Sequence, residues 1–178
     1  MTRARQNRSV GRNFIFSGCV VEIKIVCLSD IPNWILLSKE YDSYVQEIVP
    51  NLTEWYEGSE TSISFDMYMK AKISKNEAFM ATDESGAYCG IVAISKNNNN
   101  ITFFGISHKF DFYEIGGFLL EHVLPLLNTK AIIKTNVIKS NAEQIQKQHV
   151  LLSNYGFVFS HDDLENGVPV SCMKRCPN

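Results

Sequence analysis

The stretch Ile101–Leu127, ITFFGISHKFDFYEIGGFLLEHVLPLL, decides the fold that the sequence predicts. Its first residues are rich in β-branched and aromatic side chains and predict a strand, which breaks at 107–109. From Ile115 onward, apolar side chains recur three and four residues apart and predict a helix. The turn 111–117 directs unpaired N–H groups and the positive end of the helix dipole to one point. We therefore expect the main-chain amides of residues 109–117 to converge on a phosphate group.

The composition is that of a folded globular protein. The chain has 178 residues, of which 45% are hydrophobic and 20% charged, so we expect one domain with a sizeable core. No apolar run approaches the roughly 20 residues that span a bilayer, and no signal-peptide pattern is present. The five cysteines are scattered and odd in number, which favours reduced thiols. These features predict a cytoplasmic protein without a membrane partner.

Two cysteines near the C-terminus raise the question of a metal site. Cys172 and Cys176, with His161 upstream, have part of the ligand set of a zinc site. Their spacing differs from that of the usual zinc-binding pairs, and the sequence offers no second pair. From the sequence we therefore expect no metal.

The basic residues at the N-terminus differ from the rest of the chain. Four arginines precede the first acidic residue, and without them 13 basic residues stand against 19 acidic ones, a net charge of −6. We expect a disordered basic tail over residues 1–18 and the domain over 19–178. An acidic domain argues against nucleic acid as the main partner and is compatible with a cationic substrate. A nucleic-acid-binding arm formed by the tail is a weaker alternative, which predicts strongly salt-dependent binding.

The whole pattern predicts an α/β (α+β) fold with a mixed sheet of six to seven strands, in the order β-α-α-β-β-β-α-β-α-β-β. Asparagines at 97–100 and the pair Asn166–Gly167 predict hairpin turns. Asp30 and Ser140 are expected to cap the helices that follow them. The predicted strands are 20–28, 77–82, 87–95, 101–106, 131–137, 157–160 and 168–174, and the predicted helices are 30–44, 62–73, 115–127 and 140–155.

This order, together with the strand, turn and helix quoted above and the sequence Tyr155-Gly156-Phe157, resembles the GNAT family of acetyl-CoA-dependent N-acyltransferases over roughly residues 20–174. In that family a loop with the pattern Gln/Arg-x-x-Gly-x-Gly/Ala holds the pyrophosphate of coenzyme A through backbone N–H groups. The resemblance places Asp111 at the first position of this loop, Glu114 at its first glycine and Gly116 at its second.

The resemblance implies acetyl-CoA as co-substrate and a set of residues that bind it. A bulge at 104–106 would free a backbone N–H to polarise the thioester oxygen. The implied cofactor-binding residues are Phe104, Gly105, Ile106, Asp111, Phe112, Tyr113, Glu114, Ile115, Gly116, Gly117 and Asn141.

The implied reaction is direct transfer of the acetyl group to a primary amine of a small molecule or a protein. The amine must lose a proton before it attacks, and His108 and His149 are candidate bases. Leu152 stands where the family often has the tyrosine that protonates the leaving thiolate. The alternative is a catalytically weak or inactive module that binds coenzyme A or a partner protein. The last hairpin forms a sheet edge that suits pairing with a second copy.

Overall fold

The computed structural model of the protein describes residues 12–16, 19–45, 65–165 and 167–177. These residues form one α/β arrangement of eight strands and four helices. The strands are β1 Arg12–Phe16, β2 Cys19–Ile25, β3 Ala78–Thr82, β4 Tyr88–Ser95, β5 Asn100–Ile106, β6 Ile133–Ile138, β7 Phe157–Glu165 and β8 Val168–Arg175. The helices are α1 Ile31–Val45, α2 Phe65–Ser74, α3 Phe112–Val123 and α4 Glu143–Asn154.

All eight strands join one mixed sheet in the order β1-β2-β3-β4-β5-β6-β8-β7. Every neighbouring pair is antiparallel except β5 and β6, which run parallel with α3 as the crossover between them. β4 is buried along almost its whole length, as its two-sided apolar sequence predicts for a central strand. The predicted order of elements is confirmed, apart from one additional strand at the N-terminal end.

The additional strand corrects two expectations from the sequence. β1 pairs with β2 from Arg12↔Ile23 to Phe16↔Cys19, so the sheet has eight strands rather than six or seven. It also lies within residues 1–18, where a disordered tail was expected. The sequence RNFIF ends in aromatic and β-branched residues that favour a strand, and the preceding arginines outweighed this signal. The rest of the expected tail lies outside the described residues.

Helices pack on both faces of the sheet and divide the core in two. On one face, α1 and α2 cover an apolar cluster around Trp34, Met69 and Met80. On the other face, α3 and α4 cover a larger cluster that includes Leu119, Leu120 and Leu152. Among the described residues, none of the helices is long and apolar enough to cross a membrane.

Two helix starts differ from the expected capping. Asp30 does not cap α1 from its N-cap position; its carboxylate accepts a hydrogen bond from the backbone N–H of Cys27 at 3.0 Å, three residues earlier. Before α4 the N-cap is Ala142, and the Ser140 hydroxyl accepts from the Ala142 N–H at 3.0 Å instead of capping the helix. The expected capping box with Glu143 is therefore absent. Short polar side chains bond to nearby backbone in several ways, which sequence alone does not separate.

The hairpin turns agree with their sequence signals. Asn99 adopts a left-handed φ of 52° in the turn between β4 and β5. Gly167 has a φ of 84° at the turn that joins β7 to β8, where glycine avoids the steric penalty of a side chain. Asn166, the other half of that signal, lies outside the described residues. So do residues 62–64 of the predicted second helix, which the structure describes from Phe65.

Candidate active site

The central feature of the sheet is a gap between the two parallel strands. β5 and β6 pair only at Asn100↔Lys134 and Ile101↔Thr135, yet β5 continues to Ile106 and β6 to Ile138. The strands therefore part toward their carboxyl ends, which lie at the same edge of the sheet because the pair is parallel. β5 remains paired to β4, and β6 to β8, so the gap interrupts the sheet at this point alone among the described strand pairs.

A bulge in β5 lies where the two strands separate. Ala93 pairs with Phe103 and Ile94 with Ile101, which leaves Thr102 as an extra residue in β5. The expected bulge at 104–106 is therefore wrong by a few residues, because the register there is regular. A bulge bends its strand and increases the local twist, so its place directly after the last pair with β6 accounts for the divergence.

Two residues of β5 direct their backbone into the gap. The N–H of Ser107 donates to the carbonyl of Cys89 at 2.9 Å, which fixes the side of β5 that faces β4 at this end. Backbone direction alternates along a strand, so Gly105 also bonds toward β4, while the N–H and C=O groups of Phe104 and Ile106 point toward β6. Of the three residues that the sequence suggests here, Phe104 and Ile106 therefore offer hydrogen bonds to a group in the gap, and Gly105 does not.

The turn before α3 uses most of its amides internally. Asp111 is the N-cap of α3: its Oδ1 accepts from the Glu114 N–H at 2.8 Å, and its carbonyl accepts from the Ile115 N–H at 3.1 Å. No hydrogen bond within the described part of the chain takes up the N–H groups of Phe112 and Tyr113. The expected convergence of amides over 109–117 is thus reduced to these two.

The other amides of this turn have partners close by in the structure. The N–H of Lys109 donates to the Ser107 hydroxyl at 3.4 Å, and that of Phe110 to the Ser107 carbonyl at 3.2 Å. The N–H of His108 donates to the carboxylate of Glu40 on α1. These bonds hold the loop against the end of β5 and fix the start of α3.

Negative charge collects at the same helix end. The carboxylates of Asp111 and Glu114 lie one turn apart, and the pKa of Glu114 is raised by its partial burial and by the charge of Asp111. Lys147 on α4 is close enough to Asp111 to interact with the Asp111 charge. The Lys147 ammonium, however, forms an ion pair with Glu143 at 2.7 Å. An anion at this helix end would meet two amides and the helix dipole as favourable terms, and two carboxylates as unfavourable ones.

Four of the implied cofactor-binding residues are buried in packing contacts. Phe112, Ile115, Gly116 and Gly117 all face the interior along α3. A Cβ at Gly116 would overlap Leu151 Cδ2 on α4 and lie 3.2 Å from the ring of Phe104, and one at Gly117 would lie 3.0 Å from the Tyr155 hydroxyl. The two glycines therefore let α3 approach its neighbours closely, whatever binds at the helix end.

We expect Gly116→Ala to lower the free energy of unfolding. Overpacking of a tight contact costs about 1–3 kcal/mol, and the better helix propensity of alanine returns up to about 1 kcal/mol. The net loss of unfolding free energy should be about 1–2 kcal/mol. Thermal unfolding measures it, since each kcal/mol lowers Tm by roughly 2–4 °C in a chain of this size. Gly117→Ala is the matched control and should lose less, because its new methyl group meets only the Tyr155 hydroxyl. Equal stability of Gly116→Ala and the unaltered protein would contradict the packing role.

A histidine and a glutamate meet just beyond the end of β5. His108, in the loop between β5 and α3, places Nδ1 in contact with Glu40 Oε1, and its backbone N–H donates to the same oxygen at 2.5 Å. The His108 side chain is 60% exposed and that of Glu40 20% exposed, so the ring has access to solvent while the carboxylate is held. The contact leaves Nε2 of His108 directed away from the carboxylate, as in histidines that act as general bases.

His108 was a candidate base on sequence grounds, whereas Glu40 was missed. The two residues are 68 positions apart, and nothing local in the helix around Glu40 marks it. The other candidate base, His149, is half-buried on α4, where burial lowers its pKa. Among the described residues, no carboxylate contributes to this shift.

The remaining sequence candidates are placed as follows. Leu152 is 1% exposed and belongs to the core between α4 and the sheet. Tyr155 does not replace the missing acid, because its hydroxyl donates to Glu121 at 3.0 Å; burial and this bond raise its pKa to about 12. Asn141 is exposed in the loop that follows β6, at the sheet edge where the gap opens. Its contact with a cofactor remains a prediction.

Comparison with known proteins gives a clear result for the fold. No protein-family model and no curated protein matches the sequence. Among solved structures, the chain is similar to a GNAT-family acetyltransferase from Streptococcus agalactiae, with a TM-score of 0.64, 14% identity, and coverage of 93% of this chain and 99% of that one.

Two further solved structures are similar over nearly their whole length. One is the ribosomal-protein-S5-alanine acetyltransferase from Vibrio fischeri, with a TM-score of 0.58, 12% identity, and coverage of 94% of this chain and 97% of that one. The other is Arabidopsis thaliana Naa50 in complex with the bisubstrate analogue CoA-Ac-MVNAL, with a TM-score of 0.59, 15% identity, and coverage of 87% and 97%. The expected fold class is confirmed: the chain has the fold of the GNAT acetyltransferases.

Proposed function

We propose that the protein is an N-acetyltransferase that moves an acetyl group from acetyl-CoA to a primary amine. The observation that carries this proposal is the gap between β5 and β6, into which Phe104 and Ile106 direct unpaired backbone groups. An amide-bearing arm such as pantetheine fits there as a short strand would, by hydrogen bonds to these groups. The amides of Phe112 and Tyr113 lie at the same edge of the sheet and suit the diphosphate end of the cofactor.

The fit is good along the gap and weaker at the helix end. The gap offers neutral hydrogen-bonding groups to a neutral arm. At the helix end, Asp111 and Glu114 repel a diphosphate, and the Asp111 carboxylate occupies the Glu114 amide that such a ligand would use. We expect Asp111 to turn outward when the cofactor binds, at the cost of one hydrogen bond.

His108 is the proposed general base. A primary amine is mostly protonated near neutral pH and has no lone pair for attack until a base removes its proton. The ring of His108 is exposed at the end of β5, two residues beyond the backbone groups of Ile106 that face the gap, and Glu40 holds it in place. When bound, the cofactor would supply the activated acetyl group, and the N–H of Phe104 or Ile106 would polarise its carbonyl oxygen.

The buried Leu152 and the two carboxylates at α3 favour a second candidate, a module that binds coenzyme A or a partner without catalysis. A panel assay separates the two. Purified protein is incubated with acetyl-CoA and, in turn, a polyamine, a lysine-containing peptide and a peptide with a free N-terminus, and release of free coenzyme A is measured. The enzyme proposal predicts that coenzyme A is released faster in the presence of at least one of these amines than in its absence.

Thermal unfolding with acetyl-CoA completes the test. A ligand that binds only the native state at a hundredfold excess over its Kd stabilises that state by about 2.7 kcal/mol, so Tm should rise by several degrees. A rise without any coenzyme A release would support the binding module. The absence of both effects, with no rise of Tm at millimolar acetyl-CoA and no release of coenzyme A with any amine, would overturn the proposal.

A further inference from the structure

The C-terminal hairpin brings together three side chains that sequence spacing does not connect. In the antiparallel pair β7–β8, His161 lies directly opposite Cys172, and Asp163 lies two residues further along β7 on the same side. One ligand atom from each of the three lies within 4.8 Å of the other two. We refer to His161, Asp163 and Cys172 as the hairpin cluster.

A bulge in β7 creates this arrangement. Phe159 pairs with Met173 and His161 pairs with Cys172, so Ser160 is an extra residue in β7. In a regular ladder Ser160 would oppose Cys172, and the His161 side chain would point to the opposite face, because side chains alternate along a strand. The extra residue therefore places the side chains of His161 and Cys172 on the same face of the hairpin, whereas a regular ladder would place them on opposite faces.

The local contacts leave each member of the hairpin cluster with a donor atom to spare. The Ser160 hydroxyl lies 3.2 Å from Nδ1 of His161, which leaves Nε2 available as a ligand. The Leu164 N–H donates to Oδ1 of Asp163 at 2.8 Å, which leaves the other carboxylate oxygen. Asp162 does not belong to the set, because its carboxylate pairs with Lys139 at 2.7 Å.

The electrostatic surroundings of Cys172 favour a cation. The half-buried thiol lies close enough to Asp163, Glu165 and Asp162 to be influenced by their negative charges, and Lys134 contributes a charge of the opposite sign. A thiolate among carboxylates is unfavourable unless a positive ion lies beside it. Nearby, Glu165 is held by the Asn136 side-chain amide at 2.9 Å, so its charge remains close to the cluster.

We propose that the hairpin cluster binds a zinc ion with His161, Asp163 and Cys172 as protein ligands and one open coordination position. One sulfur, one nitrogen and one oxygen ligand form a set that zinc accepts in tetrahedral geometry. From usual zinc–ligand distances, such ligand atoms lie about 3.4 Å apart. In the hairpin cluster the ligand atoms lie within 4.8 Å of one another, so small side-chain rotations would bring them to the spacing that zinc requires. Binding replaces the thiol proton by the metal and ties β7 to β8.

The proposal is tested with cobalt, a spectroscopic substitute for zinc, on the full chain with its thiols kept reduced. Titration with Co²⁺ should produce a thiolate-to-metal charge-transfer band that saturates at one ion per chain and disappears when Zn²⁺ is added. Zn²⁺ alone should raise Tm by a few degrees. Absence of the band at saturating Co²⁺, or a band that zinc does not displace, would overturn the proposal.

Four variants assign the ligands. Cys172→Ser should lose the charge-transfer band altogether, and His161→Gln and Asp163→Asn should each weaken Co²⁺ binding and shift the absorption of the bound ion. Cys176→Ser is the matched control, since Cys176 is exposed and outside the cluster, and it should keep the band. All of these side chains are partly or fully exposed, so the variants should fold normally. Circular dichroism checks that they do. Loss of the band in Cys176→Ser, or its persistence in Cys172→Ser, would show that the cluster is not the site.

Discussion

Replacement of His108 by glutamine is expected to lower kcat by about 10²–10⁴-fold, the usual contribution of a general base. Glutamine keeps a polar side chain of similar size but cannot remove a proton from the attacking amine. The fold should be unaffected, because the His108 side chain is 60% exposed. The measurement is the rate of coenzyme A release with the best amine acceptor of the panel, across a range of pH.

The pH profile distinguishes loss of a base from loss of a binding contact. Loss of the base should lower kcat/KM most at a pH where the amine acceptor is still protonated, and less where the amine has already lost its proton in solution. The amine itself loses its proton as pH rises, so the residual rate of the variant should increase with pH. A His108→Gln variant that retained full kcat at every pH tested would exclude His108 as the base.

Glu40 and His149 provide the matched variants. Glu40→Gln keeps a hydrogen-bonding group near Nδ1 of His108 but removes the charge that orients the ring, so a smaller loss of roughly ten- to hundredfold is expected. His149→Gln removes the other candidate base and should leave kcat nearly unchanged, since His108 is the proposed base and His149 is a half-buried residue of α4. A large loss of kcat in His149→Gln, with no loss in His108→Gln, would show that His149 is the general base and His108 is not.

The second large effect is an increase in affinity. The double variant Asp111→Asn, Glu114→Gln is expected to bind coenzyme A more tightly, by roughly tenfold for each carboxylate removed. Both carboxylates lie at the end of α3 where the diphosphate is expected, and burial together with the charge of Asp111 raises the pKa of Glu114. Asparagine is a good N-cap, so its side-chain oxygen can still accept the hydrogen bond from the N–H of residue 114.

Salt dependence gives this prediction a second readout. Binding of an anion to an acidic site should strengthen as salt screens the repulsion, and the double variant should lose this trend. Calorimetric titration of coenzyme A at two ionic strengths measures both effects. Glu121→Gln is the control: it removes one carboxylate from the same helix about two turns further on, where the effect on the diphosphate should be small. Weaker binding by the double variant would show that the carboxylates contribute to the site rather than oppose it.

Local sequence signals were sufficient for the order of the elements. β4 reads as a central strand because it is apolar on both faces, and its ends are marked by a Gly86 turn and by four asparagines. The signals for α3 and α4 are equally local, since apolar periodicity belongs to a few consecutive turns. β1 was missed because five residues with one arginine carry too little pattern to outweigh the basic segment before them.

The site was less predictable, because its parts depend on register and on distant contacts. The bulge at Thr102 follows from how β5 pairs with β4, and no residue type in β5 marks it. Gly116 looked like part of a phosphate loop, but the structure assigns it to a contact with Leu151, 35 residues later. The amides of the same turn were expected to be free, and Asp111 and Ser107 turn out to take several of them.

The sequence by itself determined the alternation of strands and helices, the crossover through α3 and the hairpin turns, because each of these is written in residues adjacent along the chain. Only the tertiary structure decided where β5 and β6 part, that Glu40 meets His108, and that His161 lies opposite Cys172. The physical reason is the same in each case. Strand register and packing between elements are set by pairings between residues far apart in the chain, and one extra residue in a strand changes which side chains share a face.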